Sequence, residues 1–450
     1  MFYQKKHRNF GQSALTRDRR SDKNKGSHLK GDAMNNKALV LFLTLCLVFL
    51  FFFNSCSGEK ERDKQEAEAM ETHKKILTVD THCDTPMMLA EGEYDIGEMH
   101  GAGLERRGKI DLPRMKQGGL DAEFFAAFVA QGERTEQGYE KARERAGLLI
   151  KSIYDMCDKY PEMVSLATEP DDAYRLAEQG KIAAFIGLEN GYPIGKDLAL
   201  VEEFYNKGVR YITLCHSSDN DICDSSTDRR EPEDNGLSEF GKKVVEECNR
   251  LGMMIDVSHV SDQTFFDVIK LSRAPVIASH SSVRALCDHP RNFSDEMLKA
   301  LAKKGGVIQI CFVSSFIKEE ESNPEREKAM AELQEKYGDF SKIKDEEVRQ
   351  KAREEFMEIY KKYPRPRASV EDMVDHIDYV KELIGVDYIG IGTDFDGGGG
   401  LEGCNDVSEM PNVTKELLKR GYTEEEIEKI WGGNLMRVFR RIIELSDSQE

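Results

Sequence analysis

At 450 residues the chain is long enough to bury one large core or two average ones, and its 39% hydrophobic and 8% aromatic content marks a globular protein rather than a disordered one. The formal charge of −19 understates the acidity of the body, because residues 1–56 carry ten Lys/Arg against three Asp/Glu and leave −26 on the remainder. So acidic a body repels nucleic acid, which excludes that class of partner.

Residues 1–33 are polar, basic and aperiodic, and read as an over-extended start ahead of Met34. Residues 38–53, ALVLFLTLCLVFLFFF, are uncharged and apolar but shorter than the ~20 residues a spanning helix needs. With Ser55 directly before Cys56, the segment 34–56 resembles a bacterial lipoprotein signal in which Cys56 is lipidated and becomes the mature N-terminus. Phe53 and Asn54 depart from the usual lipobox, so an uncleaved signal anchor is the alternative. Either form exports the body, and the first ties it to a membrane by its lipid. Residues 57–75, SGEKERDKQEAEAMETHKK, have few apolar side chains and read as a charged tether, with the folded domain over 76–445. The cysteines beyond Cys56 are scattered without CxxC pairs. Cys83, Cys215 and Cys311 lie in apolar runs as small buried hydrophobes, and no disulfide framework is indicated.

From Ile76 onward, eight apolar runs of strand length alternate with longer amphipathic or charged stretches. They are 76–84, 120–130, 182–190, 211–217, 252–259, 275–282, 306–313 and 388–397. Such alternation predicts repeated βα units on a parallel sheet, and near-continuous apolar character predicts strands covered on both faces. Eight strands close a (β/α)₈ TIM-type barrel, and the length of the body is within that fold's range. The longest interruption, 317–367, is dense in Glu and Lys and ends at Pro364 and Pro366. It predicts an exposed helical insertion between strands 7 and 8, with a lid over the site as the lesser alternative.

Six of the runs end in a ligand or acid/base group: His82 with Asp84, Glu189, His216, His259, His280, and Asp394 with Asp396. A lone histidine there is usually structural, and a lone aspartate usually shapes a turn. Their recurrence at one phase of successive repeats is what matters, because every strand of a parallel barrel delivers its C-terminal end to the same mouth. His82 and Asp84, two residues apart, share a face of the first strand and can hold one divalent ion, with Zn²⁺ suited to mixed N/O ligation. His259 and His280 are placed to hold a second, and Glu189 to bridge the two. No G-x-S-x-G elbow occurs, and strand alternation turns Cys215 away from His216, so seryl and cysteinyl chemistry fit less well.

The motifs DTHCD, DLPRMKQGG, GLEN, YITLCH, GLSEFGKKVV, IDVSHVSDQTF, SHSSVRALCDHPRN and GIGTDFDG, in this order over about 76–440, resemble the signatures of the membrane dipeptidase (renal dipeptidase) family of zinc peptidases. The resemblance implies a barrel with two zinc ions per chain that hydrolyses dipeptides, tolerating a D-residue at the C-terminal position, by attack of a zinc-bridging hydroxide. It implies His82 and Asp84 on one zinc, His259 and His280 on the other, and Glu189 between them. His216 matches a substrate-facing histidine that donates to the oxyanion, Arg291 a residue that binds the substrate carboxylate, and Asp394 the proton carrier between the attacking water and the leaving amine. Asp396 reads as loop-shaping and His289 as a neighbour supporting Arg291. The stretch after His216 lacks the tryptophan expected of the family and carries more charge, which bears on side-chain preference. Two other readings stand beside this one: an amidohydrolase acting on cyclic amides, lactones or N-acyl amino acids, and a surface lipoprotein that binds peptides without cleaving them. A homodimer is compatible with the sequence but is not specified by it.

Overall fold

The computed structural model describes residues 64–92, 94–101, 108–319, 322–338, 343, 345–364 and 366–446. The segments read as over-extended start and lipoprotein signal, with Cys56, lie outside the described residues. Among the described residues no helix is long and apolar enough to cross a membrane.

Nine strands form one parallel sheet: β1 (Val79–Cys83), β2 (Ala122–Phe128), β3 (Val164–Leu166), β4 (Ile182–Glu189), β5 (Val209–Thr213), β6 (Met254–Asp256), β7 (Ile277–Ser281), β8 (Val307–Cys311) and β9 (Ile389–Gly392). The order is β1-β2-β4-β5-β6-β7-β8-β9, with β3 paired only to β4. The Asp394 amide donates to the His82 carbonyl (3.0 Å) and the Asp84 amide to the Phe395 carbonyl (2.9 Å), so β9 rejoins β1 and the eight strands make a barrel. Each of the eight expected runs overlaps a barrel strand, and only β5 begins ahead of its run, at Val209. The ninth, β3, was not expected: it is only three residues long and adds to one edge of β4.

Side-chain alternation divides the core. Phe125, Ala127, Ile186 and Leu188 face the helices. Phe124, Phe185, Tyr211, Met254, Ile277 and Val307 fill the barrel floor, where Phe439 of the C-terminal helix Asn434–Glu444 closes it. Phe185 stacks on Phe124 at 4.6 Å and Phe124 on Tyr211 at 5.6 Å, giving the mouth a packed aromatic base.

Residues 64–75 correct the tether reading. They are helical, and Ala69, Thr72 and His73 are buried at the i, i+3, i+4 spacing of one helix face. The other faces carry the charges that made the stretch look unstructured. Between β8 and β9 the expected insertion contains the helices Pro324–Tyr337 and Glu346–Lys362, which join through Lys336 and Glu355 (2.7 Å).

Candidate metal centre

The strands deliver their polar ends to one cavity of about 340 Å³ whose lining includes Asp84, Glu189, His216, Arg291, Phe316 and Asp394. His82 lies within β1, Glu189 is the last residue of β4, and His280 lies in β7. Strand alternation does not place the others. His259 sits three residues beyond β6 with φ 72°, and Asp394 two beyond β9 with φ 56°. Left-handed backbone is costly for non-glycine residues and here turns both side chains into the mouth.

Glu189 stands between the imidazoles. Its Oε2 is 3.4 Å from His82 Nε2, while its Oε1 is 3.2 Å from His259 Nε2, 3.6 Å from His280 Nε2 and 3.7 Å from His216 Nε2. Three sets of ligand atoms gather closely enough to hold a metal: His82 with Glu189 and His280, Glu189 with His216 and His259, and His82 with Asp84 and Asp394. The i, i+2 pairing of His82 with Asp84 is therefore present. His280 approaches His82 as well as His259, and His216 stands closer to the carboxylate than its expected role requires.

Residues outside the expected set orient these groups. His82 Nδ1 hydrogen-bonds the Tyr211 hydroxyl at 2.8 Å, leaving Nε2 toward Glu189. Ser279 donates its hydroxyl to Asp256 (2.6 Å), so it accepts from His280 Nδ1–H (2.8 Å) and leaves the Nε2 lone pair in the site. Tyr211 and Ser279 carry no motif of their own. Their signal was positional, since they lie on strands already assigned to the barrel.

Burial opposes charge on His82, but the carboxylates of Glu189, Asp84 and Asp394 push it up to about 10. Burial tends to raise Glu189 too, yet His82, His259 and His216 hold it well below the usual carboxylate range. Asp84 is driven well up by burial and by Glu189, and Asp394 rises to about 7 by burial despite His82. Burial holds His259 and His280 well below their ordinary value. The buried His82 Nε2, Asp84 Oδ1 and His259 Nδ1 have no hydrogen-bond partner. Imidazole nitrogens and carboxylates converging on one point, with orphaned atoms among them, fit divalent cations held by N and O ligands.

Arg291 borders the same cavity. It donates from Nη2 to the His280 carbonyl (3.0 Å) and from Nη1 to Ser281 Oγ (3.4 Å), while its buried Nε has no partner. Its guanidinium lies 5.3 Å from the Phe316 ring, and His289 accepts from its amide at Nδ1 (3.2 Å) and packs on Phe316. His289 is thus a neighbour that supports the arginine. Asp396 accepts from the Lys109 amide (2.8 Å) and from the Thr85 hydroxyl (2.7 Å), tying two loops together.

Residues 66–450 match the family model described as membrane dipeptidase (peptidase family M19). Dipeptidase 3 of Rattus norvegicus is 33% identical over 381 residues, covering 83% of this chain and 67% of the rat protein. Dipeptidase tcpJ of Claviceps purpurea is 32% identical over 370 residues, covering 81% of this chain and 76% of the fungal one. The crystal structure of the probable dipeptidase PvdM from Pseudomonas aeruginosa matches with a TM-score of 0.76 at 32% identity, over 85% of this chain and 100% of that one. A metallo peptidase from Rhodobacter sphaeroides, liganded with a phosphinate mimic of the dipeptide L-Ala-D-Ala, shares the fold at a TM-score of 0.65 and 23% identity, over 82% and 99%.

Proposed function

Because the chain belongs to the membrane dipeptidase family of metallopeptidases, we propose that it is a binuclear zinc dipeptidase whose centre is built on Glu189. The observation that carries this reading is the division of the Glu189 carboxylate, one oxygen toward His82 and the other toward His259 and His280. His82 and Asp84 would hold one zinc, His259 and His280 the other, and Glu189, placed between the two pairs, would contribute to both. When bound, the two ions supply Lewis-acid polarisation of the scissile carbonyl and acidify the attacking water.

The chain's own residues do the rest. Arg291 takes the C-terminal carboxylate of the dipeptide, using a guanidinium whose Nε is buried and free of other partners. Asp394, poised by burial near neutrality, accepts the proton of the attacking water and passes it to the leaving amine. His216, the more open of the histidines at 25% side-chain exposure, donates to the carbonyl oxygen as negative charge develops on it. A D-residue at the C-terminal position is tolerated, and L-Ala-D-Ala is an apt first substrate. The body is exported and held at a membrane through lipid on Cys56.

Purified enzyme supplied with zinc should hydrolyse L,L and L,D dipeptides and spare cyclic amides and N-acyl amino acids. Preference for the latter groups would favour the wider amidohydrolase reading. Zinc binding without turnover of any of them would leave only a peptide-binding role.

A further inference from the structure

A second cavity, of about 510 Å³, opens beyond the C-terminal end of β2, and its lining includes Met87, Phe128, Val129, Ala142, Lys141 and Arg145. Resting on the dipeptidase reading, we propose that this cavity receives the side chain of the substrate's N-terminal residue and favours an acidic one.

Its position follows from the barrel. Arg291 follows β7, and in the eight-strand order β7 and β2 are four strands apart in either direction, so the cavity lies across the mouth from the carboxylate clamp. Phe128 lines this cavity, and its ring lies 4.6 Å from that of His216, which lines the metal centre. A dipeptide with its carboxylate on Arg291 and its carbonyl beside Glu189 and His216 extends its N-terminal residue past His216 toward Phe128 and the cavity it lines.

Its chemistry follows from the lining. Met87, Phe128, Val129 and Ala142 give an apolar floor for a methylene stem. Lys141 and Arg145, at i and i+4 of the helix Glu136–Lys159, put two cations at the same cavity. Among the described residues neither has an ion-pair or hydrogen-bond partner, whereas Arg143 on the same helix is paired with Glu136 at 3.0 Å. Glu133 is the one acid among the lining residues, so cationic charge exceeds anionic there in an otherwise strongly acidic body. An N-terminal glutamyl side chain, with an apolar stem and an anionic end, matches floor and cations together.

The test is the ratio of kcat/KM for L-Glu-L-Ala to that for its neutral isostere L-Gln-L-Ala, with the zinc-supplied enzyme. Two solvent-accessible ion pairs favour the glutamyl substrate by about five- to tenfold at low salt, a ratio that shrinks as salt is added. The ratio should fall to about one in Lys141→Ala/Arg145→Ala and below one in Lys141→Glu/Arg145→Glu. Lys141 is exposed and Arg145 half-buried on this helix, and a melting curve checks the fold of each variant. Turnover of both substrates at equal efficiency in the wild type, or a preference that survives both double variants, overturns the pocket assignment alone. No turnover of either substrate by enzyme that hydrolyses L-Ala-D-Ala overturns the pocket alone, and no turnover of any of the three overturns the dipeptidase reading and the pocket with it.

Discussion

His259 and His280 meet at the barrel mouth with their Nε2 atoms 2.9 Å apart, both held neutral by burial and both beside the same oxygen of Glu189. The Asp256–Ser279–His280 chain fixes the proton of His280 on Nδ1, so its Nε2 can only accept. Dialysis against a chelator should therefore abolish activity and lower the melting temperature by roughly 5–15 °C, since metal that binds only the folded state stabilises it. Zinc should restore both. A melting curve and an assay before and after dialysis check this, and an unchanged melting temperature would mean that the cluster is satisfied without metal.

Asp394→Asn should lower kcat by about 10²–10⁴ while zinc content stays unchanged, because the amide keeps the shape but cannot carry the proton. The approach of Asp394 to His82 and Asp84 makes the metal measurement decisive. Loss of zinc in parallel with activity would make Asp394 a ligand.

Gly397 leaves room for the carboxylates. A Cβ at this position would overlap Asp394 Oδ1 and Asp84 Oδ2, both part of the centre. Gly397→Ala should lower activity at least about tenfold, as small displacements of positioned groups do, with the overall fold preserved by circular dichroism. Wild-type kcat/KM in this variant would show that neither carboxylate needs its present position.

Arg291→Lys keeps the charge but loses the planar, two-pronged donor, so KM for dipeptides should rise by about 10- to 100-fold with a smaller change in kcat. Steady-state kinetics check this. An unchanged KM would remove Arg291 from carboxylate binding.

His73 provides a pH test away from the centre. It is buried against Trp431, the single tryptophan of the chain, and burial depresses its pKa from 6.5 to about 4. The native state thus excludes a proton that the unfolded state binds. The associated stability is complete above pH 6.5 and is lost as pH falls from 6.5 toward 4, by up to about 3 kcal/mol. Urea unfolding followed by Trp431 fluorescence at pH 7.5 and pH 5 should show a larger loss in the wild type than in His73→Gln. Equal losses would assign the acid sensitivity to other groups.

The fold was legible because strands buried on both faces produce unbroken apolar runs, and each of the eight runs overlaps a barrel strand. β3 escaped because three residues at the edge of β4 make no such run. The helix over 64–75 escaped because only Ala69, Thr72 and His73 are buried, too few to outweigh a charged surface. At the site, His82 and Glu189 could be read from their strands. The orientation of His259 and Asp394 depends on left-handed backbone beyond the strand ends, which no alternation rule predicts. Tyr211, Ser279 and Asp256 act through other side chains, and their partners come from distant strands that only the closed barrel brings together.

Titration of the metal-free enzyme with zinc, following dipeptide turnover at each addition, tests the binuclear centre most directly. Activity should rise to its maximum at two zinc ions per chain and remain there. A maximum at one ion, or full turnover before any zinc is added, would contradict a centre in which Glu189 joins two metals.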